Sequence, residues 1–148
     1  MYIHYGHKSF DRREFKPIKN RFYFPKPDGG LWASPVDTTR GWKDWCDAEN
    51  YSECDENKSF RFALDANANV CHIDACSDAM GLPQMEQDNS ALFSRANQSY
   101  PDFEQMLASG IDAILFNMTS DYGLYWVLYG WDCDSLLVLN PDVVISVG

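Results

Sequence analysis

The sequence predicts an α+β fold: a single domain over residues 1–148, with short strands in one or two mostly antiparallel sheets and few helices. Two observations carry this reading. Apolar or alternating runs of strand length recur along the chain, bounded by Gly, Pro, Asn and Asp, while few segments have helical spacing. The chain is also 148 residues long with 45% hydrophobic and 23% charged side chains, the size and composition of one globular core.

Taken in order, Met1–Tyr5 is aromatic and β-branched and stops at Gly6, which predicts a strand. Arg21–Phe24 is a second candidate strand, closed by Pro25 and Pro27. The segment from Pro25 to Gly30 is a turn, and Leu31–Ser34 then runs as a strand to Pro35. Trp42, Trp45 and Cys46 share one face of a helix that Thr38 or Thr39 is placed to cap. Ser59–Asp65 points Phe60, Phe62 and Leu64 to one side, and Asn69–Asp74 is expected beside it, joined through residues 66–68. Residues 75–100 hold Gly81, Pro83 and many amides, consistent with short helical pieces and a mobile loop. Pro101–Ser109 is a helix with acids in its first turn and Gly110 as its stop. Asp112–Asn117, Leu124–Tyr129, Asp134–Leu139 and Val143–Val147 are apolar runs of strand length.

Charge is unevenly distributed. The chain has 12 basic and 22 acidic side chains, a net charge of −10. Nine of the basic residues fall in residues 1–45, and Arg95 is the last in the chain. So acidic a chain is unsuited to coating nucleic acid, which requires a broad basic face. No run reaches the length of a membrane span. The five cysteines are irregularly spaced, and the first residues lack the basic and apolar regions of a secretion signal. The expected location is therefore cytoplasmic, with reduced thiols. Cys46, Cys54, Cys71, His72 and Cys76 are metal-ligand types, but they form no zinc-knuckle spacing, and no metal site is expected.

Three segments carry candidate chemistry. Ile3-His4-Tyr5-Gly6 places a histidine at a strand end. Gly29-Gly30-Leu31-Trp32-Ala33-Ser34 leads a glycine pair into a strand with an aromatic and a hydroxyl. Asp132-Cys133-Asp134-Ser135 opens an apolar strand with two acids, and Asn140-Pro141 turns it. In this order and spacing the three resemble the motifs of small ADP-ribosyltransferase-like domains, although residues 46–100 match nothing in that pattern. The sequence departs from it in the Tyr5 inserted before the glycine, the aspartate in place of glutamate and the Trp in place of Tyr.

The resemblance implies a pocket that binds NAD as substrate. His4, with Tyr5 and Gly6, would contact the adenosine-side ribose. Trp32 and Ser34 would sit near the nicotinamide half, and Gly30 would be among the NAD-binding residues. Asp134 would be the catalytic acid, and Asp132, on the same strand face, would orient the acceptor on a macromolecular target. A carboxylate at that place has a physical role whatever the family, because cleavage of an N-glycosidic bond passes through an oxocarbenium-like state.

A second reading comes from the −10 charge together with 22 aromatic side chains. This is an acidic, non-catalytic inhibitor, of the kind mobile elements direct against host defence. It would bind a basic host protein or sequester an ADP-ribose-like nucleotide.

Overall fold

The computed structural model describes residues 1–22, 24–86 and 100–147. Among these, seven strands form one mixed sheet: β1 (Tyr2–Tyr5), β2 (Leu31–Pro35), β3 (Ser59–Leu64), β4 (Val70–Ile73), β5 (Ala113–Phe116), β6 (Ser135–Val138) and β7 (Val144–Ser146). Their order is β4-β5-β6-β2-β1-β3-β7. Every neighbouring pair is antiparallel except β4 with β5. Four helices complete the single α+β domain: α1 (Trp42–Glu49), α2 (Cys76–Met80), α3 (Phe103–Ala108) and α4 (Tyr122–Val127). No helix among the described residues is long and apolar enough to cross a membrane, and all five cysteines are free thiols.

Period-two alternation sorts the strand residues into two cores. Ile114, Phe116, Leu137 and Leu139 face a cluster closed by Phe103, Met106, Leu124 and Trp131. Their neighbours Ala113, Leu136 and Val138 face the other, with Leu31, Ala33 and Phe62. Central β6 is buried on both faces, which explains its uninterrupted apolar run.

Several expectations need correction. Tyr23 lies outside the described residues, and Arg21, Phe22 and Phe24 form turn and irregular backbone, not a strand. The prolines that follow leave only an isolated bridge, Lys19 to Asp28, in this region. Asn69–Asp74 does yield β4, but β4 pairs with β5, while β3 pairs with β1 and β7. Leu124–Tyr129 falls largely in α4: Leu124 and Leu128, one helical turn apart, are the buried positions, and the Asp121 carboxylate caps the helix at Gly123 N (3.0 Å). Thr38 and Thr39 do not cap α1. Gly41 is its N-cap, held by the Asp44 carboxylate at 2.9 Å. In the 75–100 segment α2 is present, and residues 87–99 lie outside the described residues.

One feature of the sheet positions everything that follows. β1 and β2 pair only as Tyr2 with Pro35 and Ile3 with Ser34, with Val36 N donating to Met1 O just before them. Continued in that register, Tyr5 would exchange backbone hydrogen bonds with Trp32. It does not: β1 continues only along its other edge, beside β3 through Tyr5 and Ser59, and β2 only along its own, beside β6 through Leu31 and Val138. The sheet forks. The Trp32 carbonyl left at the opening accepts instead from His4 Nδ1, at 2.7 Å.

Gly30 sits where β2 meets β6. Its φ is +73°, and a Cβ there would lie 2.6 Å from Leu137 Cδ1 and 2.9 Å from Val138 O. Gly110 also has a positive φ, +96°, but open space around it. Gly30→Ala is therefore expected to lower stability by at least about 2 kcal/mol, from strain plus overpacking. Gly110→Ala carries the strain alone. Urea unfolding of both variants checks this, and equal losses would remove the packing argument.

Candidate functional site

The fork opens a cleft of about 260 Å³. β1 contributes His4 and Tyr5, β2 contributes Trp32 and Ser34, and the connection into β6 contributes Asp132 and Cys133. Ser135, Trp42 and Lys26 complete the walls that matter chemically. A second, larger groove of about 580 Å³ lies beside it, and His4 and Trp32 line both.

His4 is held at both ring nitrogens. A carbonyl only accepts, so Nδ1 carries the proton given to Trp32 O, and Nε2 accepts from His7 Nδ1 at 3.1 Å. Burial shifts its pKa below the ordinary 6.5, against the opposing pull of the Trp32 carbonyl bond. Tyr5 donates its hydroxyl to Glu56 at 3.1 Å, and burial together with that partner pushes its pKa up to about 12. The Ser34 hydroxyl accepts from Trp42 N at 2.8 Å, which ties β2 to the start of α1.

Lys26 is placed by two tryptophans. Trp131 donates its indole N–H to Pro25 O (2.9 Å) and packs edge-on against Trp32 at 4.8 Å between centroids. This sets the Lys26 ammonium 4.5 Å from the centre of the Trp32 ring, a cation–π arrangement. Burial lowers the Lys26 pKa, offset in part by nearby Cys133 and Asp132. Burial raises that of the Cys133 thiol, against the opposing pull of the Ser135 hydrogen bond and Lys26.

The two acids singled out in the sequence part company. Asp132 and Asp134 both precede β6 and so do not share a strand face. Asp132 lines the cleft, whereas Asp134 is 4% exposed and points into the protein. The Asp134 carboxylate accepts from Thr38 Oγ1 at 2.5 Å and Met118 N at 2.6 Å, with Arg40 Nε at 3.6 Å. Its own N–H donates to Arg40 O at 2.7 Å. These contacts pin the β2–α1 loop and the β5–α4 loop to the start of β6.

Of the residues drawn from the sequence, His4, Tyr5, Trp32, Ser34 and Asp132 converge on the cleft. Gly6 ends β1 with a φ of +124° and donates to Lys58 O, away from the cleft walls. Gly30 lines the neighbouring groove. The sequence placed Lys26 only among the basic N-terminal segments expected around a pyrophosphate, and left Trp42, Cys133 and Ser135 out of the site. For Lys26 the signal was present in Pro-Lys-Pro, a cation between two fixed φ angles; for the others no local pattern existed. Among the described residues no group of three or more His, Cys, Asp or Glu side chains is arranged to hold a metal ion.

Comparison with known protein families, characterised proteins and solved structures returns no match to this chain.

Two outcomes follow from these contacts. Asp134→Ala leaves the Thr38 hydroxyl and Met118 N–H without their acceptor and is expected to cost about 2–3 kcal/mol, with Asp134→Asn milder. Chemical denaturation measures both. For His4, the unfolded chain takes up a proton at higher pH than the folded one. Stability should therefore fall as pH drops below about 6.5 and level off once the folded-state value is passed. His4→Asn should flatten that part of the stability–pH curve, and an unchanged curve would show that His4 does not produce it.

Proposed function

We propose that this protein binds NAD or an ADP-ribose-like nucleotide in the forked cleft, and that it transfers ADP-ribose to a macromolecular target or hydrolyses NAD. The observation that supports the reading is the convergence of His4, Trp32, Ser34 and Asp132 on one opening in the sheet. The two compartments sharing the His4–Trp32 wall suit a ligand with two halves. Lys26 supplies a cation for the anionic bridge between them. The Ser34 hydroxyl already accepts from Trp42 N, and its proton remains to donate.

In this scheme Asp132, not Asp134, is the working carboxylate. The bond from ribose C1 to the nicotinamide nitrogen breaks, with its electron pair going to the ring. The oxocarbenium-like ribose that results is stabilised by the nearby negative charge. A hydroxyl of the acceptor, or water, adds to C1 and gives up its proton to bulk water. Asp134 acts by holding the connection that presents Asp132.

A sequestering function without turnover is the second reading, and one observation favours it. The Lys26 ammonium occupies the face of Trp32 on which a nicotinamide ring would stack. That ring is cationic in NAD, so the arrangement suits an anionic ligand better than the reactive end of NAD.

Thermal unfolding with ligand, run beside an assay of nicotinamide release, separates the readings. At a hundred times its dissociation constant, a ligand should stabilise the fold by about 2.7 kcal/mol. Asp132→Asn should keep that stabilisation while cutting nicotinamide release by about a hundredfold. Stabilisation by ADP-ribose with no release from NAD selects sequestration. No stabilisation by either nucleotide overturns the binding site itself.

A further inference from the structure

Among the described residues, a prominent exposed apolar surface is aromatic and lies on α4. This helix and the turn after it bury Leu124 and Leu128. Outward they present Tyr122 at 85% exposure, Trp126 at 70%, Tyr129 at 52% and Tyr125 at 48%. These rings are organised. Tyr125 meets Trp126 edge-on at 5.4 Å and Tyr129 edge-on at 5.7 Å, and Tyr129 meets Phe24 at 6.5 Å. The result is a linked set of stiff aromatic side chains, half-buried Phe24 with exposed Tyr125, Trp126 and Tyr129, and the more exposed Tyr122 at the start of the same helix.

Carboxylates flank the row at both ends. From residue 96 onward the chain has seven acidic side chains and no basic one. Asp121 caps α4 and accepts from Cys76 N at 2.9 Å, which brings the α2 region with Asp74 and Asp78 alongside. Asp132 follows beyond the other end. Among the described residues, two cations near the row are seated on rings, the Arg21 guanidinium carbon 4.7 Å from the centre of Phe24 and Lys26 over Trp32, and Arg40 is held at Asp134 (3.6 Å). Open π faces within an anionic field favour a guanidinium over any neutral or anionic group.

We propose that the Tyr122–Tyr129 face is a docking surface for a basic protein segment that presents arginine side chains. Its aromatics take the guanidinium planes and its carboxylates supply steering. The face ends at Gly130, which also lines the cleft, so an occupant would lie at the cleft's rim. The proposal stands on this surface alone and does not depend on what the cleft binds.

Fluorescence anisotropy with labelled oligoarginine and oligolysine peptides of equal length tests it, using the full chain at low and moderate salt. Oligoarginine should bind more tightly than oligolysine. The pair Tyr125→Ala and Trp126→Ala should weaken oligoarginine by about tenfold or more, while Trp126→Phe retains most of the affinity. These side chains are exposed, so the melting temperature should be unchanged, which separates lost docking from lost folding. Equal binding of the two peptides, or binding indifferent to the aromatic variants, would mean diffuse charge attraction and overturn the proposal. So would sedimentation showing a dimer of this chain that Trp126→Ala abolishes, because the face would then be a self-association surface.

Discussion

A single side chain stands where a sheet would otherwise have closed. The His4 imidazole takes the Trp32 carbonyl that the β1–β2 ladder was in register to give to Tyr5, and the two strands then follow different partners. An unsatisfied carbonyl at that point would oppose the fork, because buried backbone acceptors need partners. The histidine satisfies it with a group that also forms a wall of the cleft. The rest of the site depends on this separation: Trp32 and Ser34 are carried away on β2, Tyr5 on β1, and Asp132 arrives on the loop into β6.

Asp134 performs the matching task at the other end. Two segments distant in sequence, the β2–α1 loop at Thr38 and Arg40 and the β5–α4 loop at Met118, meet on its carboxylate or its amide. A carboxylate so fully engaged is held inside the protein, while its neighbours Cys133 and Ser135 line the cleft. The division of labour between two acids two residues apart follows from this: one is held inside by donors, and the other is left facing the opening.

Much of the architecture was legible because it rests on local pattern. The alternation of Phe60, Phe62 and Leu64, and the caps and stops around Phe103–Ala108, needed only periodicity and end chemistry. Leu124–Tyr129 misled because nearly every residue in the run is apolar, so its period is hidden; which faces are buried is decided by tertiary contacts. The partner of β4 could not be read, since parallel pairing with β5 leaves no mark on the connection between β3 and β4. At the site, residues on strand ends were identifiable from their types. The orientation of Asp134 was not, because it is set by donors 16 to 96 residues away. Trp42 and Ser135 entered the cleft through packing alone.

The Pro25-Lys26-Pro27 segment has a bearing on recognition beyond charge. Both prolines are buried, and the Pro25 carbonyl is fastened to Trp131. Rigid φ angles on either side mean that the backbone bearing this ammonium was ordered when the chain folded. An anionic group entering the cleft would thus meet a cation whose backbone is already ordered. Binding energy that a lysine on a free loop would spend on being held still is available here for affinity.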